Sequence, residues 1–182
     1  MIWTRINLPI HSKVIKSWRS GDAFLLNGII YTARDKAHQR LAKMIESGQK
    51  IPLDLKNSFL YYVGPTPAPP GKVIGAAGPT TSSRLDPFSK MVLALGVKGL
   101  IGKGKRNSET KNLLKQYQAV YLATFGGAGA YLHKKIKGSS IVAFKDFGPE
   151  AIYRLEVEDF PVVVINDIWG GDFYEDQISE RR

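Results

Sequence analysis

The 182-residue chain contains no cysteine. That absence excludes disulfides, thiolate nucleophiles and any iron–sulfur or cysteine-ligated zinc centre held by the chain itself. Histidine is scarce too: His11, His38 and His133 stand far apart, so a metal site here would rest mostly on carboxylates. Acids are in the minority, 16 against 26 Lys+Arg, and the net charge of +10 favours an acidic partner, whether nucleic acid, protein or small anion. No apolar run reaches the roughly 18 residues a membrane span needs. The opening Met-Ile-Trp-Thr-Arg lacks the apolar stretch of a signal peptide. These features predict a cytoplasmic protein with no membrane partner. With 43% hydrophobic and 23% charged residues, the composition is that of one folded domain rather than a disordered chain.

β-type runs occur at Ala23–Ile30, Tyr61–Val63, Val73–Ala77, Gly99–Ile101, Ala119–Thr124, Ser139–Phe147 and Pro161–Asp167, with helical patterns between several of them. The clearest helix takes Thr32 as N-cap with Asp35 three residues on, runs through Ala37, Leu41 and Ile45, and stops at Gly48. Further helices are expected at Pro87–Leu95, with Asp86 as N-cap, at Glu109–Gln116 and at Ala128–Lys135. Pro65 to Gly71 is a stiff connector that cannot join a central ladder. The fold class is therefore α/β, a single domain over residues 1–182, with a frayed Glu180–Arg182 end.

Four strand-to-helix junctions carry special residues. They are Tyr31-Thr-Ala-Arg-Asp35, Gly78-Pro-Thr-Thr-Ser-Ser-Arg-Leu-Asp86, Gly102-Lys-Gly-Lys-Arg-Asn107 and Thr124-Phe-Gly-Gly-Ala-Gly-Ala130. Ligands of α/β sheets bind beyond the carboxyl ends of strands, where such junctions gather. The second junction crowds hydroxyls and Arg84 into a turn suited to a carboxylate or phosphate; its plain alternative is a hydroxyl-rich loop that only caps a helix. Arg34 sits where a helix field disfavours a cation, which points to a bound anion, or else it pairs with Asp35. His38, one turn on, is a second donor or a satisfied structural histidine. Lys103, Lys105 and Arg106 form an anion loop around Gly104 or a solvated basic surface.

Two phosphate-binding motifs are not met. Gly99-x4-Gly104-Lys105 continues with Arg106 where a P-loop needs Ser or Thr, and Gly126-Gly-Ala-Gly129 lacks the third glycine of a dinucleotide fingerprint, so close backbone packing is its simpler role. Gathered at one sheet edge, Arg34, Arg84 and Lys103 with Thr80 and Thr81 suit a small dicarboxylate. No base or electrophile accompanies them, so the constellation is half an active site.

The junction motifs, with Tyr62-Val-Gly-Pro65 and Glu158-Asp-Phe-Pro161, follow one another as in iron–sulfur hydro-lyases. From about Ile6 to Tyr174 the chain resembles the beta subunit of class I fumarate hydratase or of L(+)-tartrate dehydratase. That resemblance implies a swivelling β/β/α domain with a mixed sheet and flanking helices. It also implies an alpha subunit carrying a [4Fe-4S] cluster as partner, commonly in an alpha2beta2 assembly, and reversible hydration of fumarate to (S)-malate. Carried over, Arg34, Arg84 and Lys103 would hold substrate carboxylates and Thr80 would transfer a proton; beside these matches, Thr81 is expected to bind substrate too, with Asp35, His38, Asp86 and Lys105 behind them. Rival readings are a nucleic-acid-binding module, prompted by the charge, and a noncatalytic interaction subunit.

Overall fold

The structure, a computed structural model, describes residues 2–10 and 12–179. His11 and the expected frayed end at 180–182 lie outside the described residues. Strands β1 (Trp3–Asn7), β2 (Ala23–Thr32), β3 (Phe59–Tyr61), β4 (Gly99–Gly102), β5 (Val120–Ala123), β6 (Ile136–Ala143) and β7 (Ile152–Asn166) alternate with helices. The helices are α1 (Ser12–Ile15), α2 (Asp35–Glu46), α3 (Ser89–Ala94), α4 (Ser108–Tyr117), α5 (Gly129–Leu132) and α6 (Phe173–Ser179). A 3₁₀ helix, Ser82–Phe88, leads into α3. This is the expected mixed α/β architecture of a sheet with flanking helices. Among the described residues no helix is long and apolar enough to cross a membrane.

β2, β3, β4 and β5 run parallel, and β7 pairs antiparallel with both β5 and β2, so the ladder returns on itself. β1 and β6 are added outside this ring, parallel to β2 and antiparallel to β7 respectively. The period-two alternation of strands then separates two cores. Phe59 and Tyr61 of β3 join Ile101, Val120, Leu122 and Phe160 on one face. Leu60, Tyr62, Leu100 and Tyr121 face the other way, against Leu41 of α2, Val92 of α3 and Leu114 of α4.

Several expectations are corrected. Val73–Ala77 is not a strand. Its polar groups turn back on Thr66, whose hydroxyl accepts the Ala76 N–H at 2.8 Å and whose N–H donates to the Ala76 carbonyl at 3.0 Å. Ile74 and Ala77 are nevertheless buried, which explains the apolar composition of the run. Thr32 is the last residue of β2 rather than an N-cap. Its hydroxyl accepts the Tyr153 N–H at 3.0 Å and leaves Arg34 at the cap position of α2. The Pro87 helix divides into the 3₁₀ turn and α3, with Asp86 inside the turn and not at its cap. β6 begins earlier than expected and ends where Phe144 adopts a left-handed φ of 57°. β7 begins nine residues before Pro161, and the exposed strand β1 had no sequence signal strong enough to mark it.

Candidate active site

The carboxyl ends of the four parallel strands are Thr32, Tyr61, Gly102 and Ala123, so the loops that follow them emerge on one side. Contacts tie these loops into a continuous surface. Arg84 Nη2 lies 3.0 Å and Arg34 Nη2 3.7 Å from the same Asp35 oxygen, joining the first loop to the second. Thr81 and Lys103 form a parallel bridge, and the Ser82 N–H donates to the Lys103 carbonyl at 3.0 Å, joining the second to the third. The Lys103 stem passes Gly126 so closely that a β-carbon there would sit 3.4 Å from its Cδ. The Ala77 N–H donates to the Gly129 carbonyl at 3.2 Å, and a β-carbon on Gly129 would fall 3.0 Å from the Gly78 nitrogen. The glycines of the fourth loop thus serve close backbone packing.

Each candidate residue has a definite setting. Arg34 and Asp35 are about one-quarter exposed and Arg84 is half-exposed. The Arg34 stem crosses Gly64, where a β-carbon would lie 2.8 Å from both Cδ and Nη1. Thr80 donates its backbone N–H to the Tyr62 carbonyl at 2.8 Å, and its hydroxyl has no hydrogen-bond partner among the described residues. Thr81 is exposed, Lys103 half-buried without an acidic partner among the described residues, and Lys105 exposed beyond the left-handed Gly104, φ 81°. Of the two readings of Arg34, the structure shows the pair with Asp35, and Asp35 is shared with a second cation.

His38 lies beneath this surface. Its Nδ1–H donates to the Arg34 carbonyl at 2.7 Å, and its ring packs edge-on to Tyr62. Burial pushes its pKa down to about 4, so the ring is neutral near pH 7 and Nε2 is a buried acceptor without a partner among the described residues. That is the setting of a structural histidine.

Arg106, grouped from sequence with the basic loop, does not join it. Its side chain is fully buried. Nε donates to Asp86 Oδ1 at 2.5 Å, Nη2 donates to Ser89 Oγ at 2.8 Å, and the guanidinium carbon lies 5.4 and 5.0 Å from the Tyr62 and Tyr121 ring centres. Asp86 also accepts the Asn107 N–H and the Thr110 hydroxyl, both at 3.1 Å. Asp86 is thus consumed by an internal charge network that locks the hydroxyl loop to the basic loop. Above it, Tyr121 Oη stands 2.9 Å from the Gly104 carbonyl and 3.0 Å from Ser82 Oγ, which accepts the Lys103 N–H at 3.1 Å. Burial raises the Tyr121 pKa, so the phenol remains protonated and able to donate.

Sequence reasoning missed Ser82, Tyr121 and the role of Arg106, because each acts through residues distant in the chain. It also missed how α2 begins. The Lys36 N–H donates to Glu150 Oε2 at 3.0 Å, so a carboxylate from 114 residues away does what a local cap would do. The surface as a whole offers cations, backbone donors and hydroxyls, the equipment for binding and orienting carboxylates. Among the described residues no group of three or more His, Cys, Asp or Glu could hold a metal ion.

Comparison with known proteins agrees across nearly the whole chain. The family model described as Fumarase C-terminus matches residues 3–177. A Methanocaldococcus jannaschii protein carrying the name of an L(+)-tartrate dehydratase subunit beta is 38% identical over 170 residues, covering 90% of this chain and 87% of its own length. Fumarate hydratase 2 of Leishmania major is 35% identical over 161 residues, and the aerobic class I fumarate hydratase of Escherichia coli K12 is 36% identical over 152. These cover 87% and 82% of this chain, and in both cases the chain spans 28% of the relative's length.

Proposed function

Because the chain belongs to the Fumarase C-terminus family of hydro-lyases, we propose that it is the beta-type subunit of a fumarate hydratase whose active site is completed by a separate alpha-type chain. The observation that carries this reading is the convergence of Arg34, Arg84 and Lys103 with Thr80 and Thr81 at one end of the parallel strands. The chain spans 87% of the tartrate dehydratase beta-subunit relative and 28% of the two fumarate hydratases compared.

In the proposed reaction, hydroxide from water joins one alkene carbon and a proton joins the other, and the reverse loses both. Arg34, Arg84 and Lys103 hold the substrate carboxylates, with Thr81 N–H and hydroxyl groups beside them. Thr80 carries a proton at its hydroxyl. A neutral threonine is a weak base, so it does this only with an acceptor supplied by the partner chain. The [4Fe-4S] cluster is assigned to that alpha-type chain: this one has no cysteine, and its described residues do not fit such a cluster. The assembly is proposed as alpha2beta2, in the cytoplasm.

The test is anaerobic conversion of fumarate by this chain, by a cluster-bearing alpha-type chain from the same genome, and by the two mixed. Activity confined to the mixture is expected. A mixture with a verified intact cluster that turns over L(+)-tartrate and leaves fumarate untouched would replace the substrate, a second reading prompted by the 38% identity to the tartrate dehydratase subunit.

A further inference from the structure

Asp35 is the only acid among the described residues that lies within 4 Å of Arg34 or Arg84, and it reaches both through one carboxylate oxygen. Its contacts are single-point. It meets one terminal nitrogen of each guanidinium, at 3.7 and 3.0 Å, and the remaining N–H edges have no acidic partner among the described residues. The Arg34 Nε has no partner among the described residues. A carboxylate filling the ligand's own place would be expected to take a guanidinium through two parallel bonds. This one grips both from a corner.

The backbone beneath it is fixed. Asp35 opens α2, where the helix field favours a negative charge, and the next N–H is held by Glu150. The arginines, by contrast, are long and rich in rotamers, and two guanidiniums drawn toward one point repel each other. We propose that Asp35 is the positioning residue of the anion clamp, ordering Arg34 and Arg84 toward a common point before a dianion arrives. The proposal rests on the reading of these two arginines as the carboxylate clamp. Its physical content is preorganisation: side chains ordered in advance need not be ordered by the ligand.

The test has two arms. In the assembled holoenzyme, Asp35→Asn is expected to raise KM for fumarate at least tenfold while kcat stays within threefold, and Asp146→Asn, on the surface pair with Arg40, should change neither. A fall in kcat at unchanged KM, or an unaltered KM, overturns the proposal. In the second arm the full chain alone is titrated with inorganic sulfate while the Arg34 and Arg84 side-chain N–H resonances are followed. The native chain should bind in the millimolar range and Asp35→Asn at least fivefold more weakly, with broadened resonances and an unchanged fold by amide spectrum. Equal or tighter binding by the variant, or no sulfate binding by the native chain, overturns the proposal. A holoenzyme inactive on fumarate and tartrate alike would sink the reaction assigned above, and the sulfate arm would still decide the role of Asp35.

Discussion

Arg84 and Lys105 are both exposed cations in neighbouring loops, and charge alone does not tell them apart. What separates them is company: Arg84 shares Asp35 with Arg34, whereas Lys105 projects from a glycine turn with no partner among the described residues. Replacing Arg84 with Ala in the assembled enzyme should therefore cost about 2 kcal/mol in kcat/KM, the value of one charge-assisted contact. Lys105→Ala should stay within about 0.5 kcal/mol, as a surface substitution does. Steady-state kinetics of the two variants side by side checks this, and equal losses would favour a diffuse basic patch. Gly64 offers a second test at this scale. A methyl group there displaces the Arg34 side chain, so Gly64→Ala should raise KM roughly ten- to a hundredfold with little change in thermal stability. These residue identities were legible in the sequence because motifs fixed their neighbours. The pairing of Arg34 with Arg84 through Asp35 was not, since Asp35 and Arg84 lie 49 residues apart.

The elements are held in place by polar groups the sequence could not assign. The 3₁₀ turn Ser82–Phe88 and the loop before α4 are joined by the buried Arg106–Asp86 pair and by Tyr121. Removing one partner of such a pair leaves the other charge uncompensated, so Asp86→Asn or Arg106→Met should lower the free energy of unfolding by about 3–5 kcal/mol. Urea titration of each variant measures this, and losses below about 1 kcal/mol, the scale of an exposed pair, would place the pair in a wetter setting. Gly102 gives a related expectation. A β-carbon there would overlap Ser82 Oγ, so Gly102→Ala should separate the hydroxyl loop from the basic loop and lower kcat/KM before it unfolds the chain. At this scale α2, α4 and the central strands were readable from period and caps, whereas the Val73–Ala77 run misled. Its apolar residues are buried by a loop rather than by a ladder.

The whole molecule carries a pH dependence through His38. The folded chain holds this ring neutral, with a pKa of about 4 caused chiefly by burial, whereas the unfolded chain takes up a proton near its ordinary value of about 6.5. The unfolded state thus binds more protons between these values. The contribution of His38 is complete above about pH 6.5 and is lost as the pH falls through 4, by about 3 kcal/mol in total. Unfolding free energies measured from pH 7.5 to 4 should fall along this window, and His38→Leu should flatten the slope. An unchanged slope in the variant would mean that carboxylates alone set the acid limb.

By itself the sequence determined the class of the fold, the central helices and strands, and the four junctions that carry the candidate site. These follow from local quantities: hydrophobic period, turn residues and motif spacing. Tertiary structure alone decided that β7 closes the strands on themselves, that Glu150 caps α2, that Arg106 is internal while Lys103 has no acidic partner among the described residues, and that Asp35 stands between two arginines. A charge reads the same in a sequence whether it meets solvent, a ligand or a buried counter-charge. Only the folded chain supplies the neighbours that settle which of these it meets.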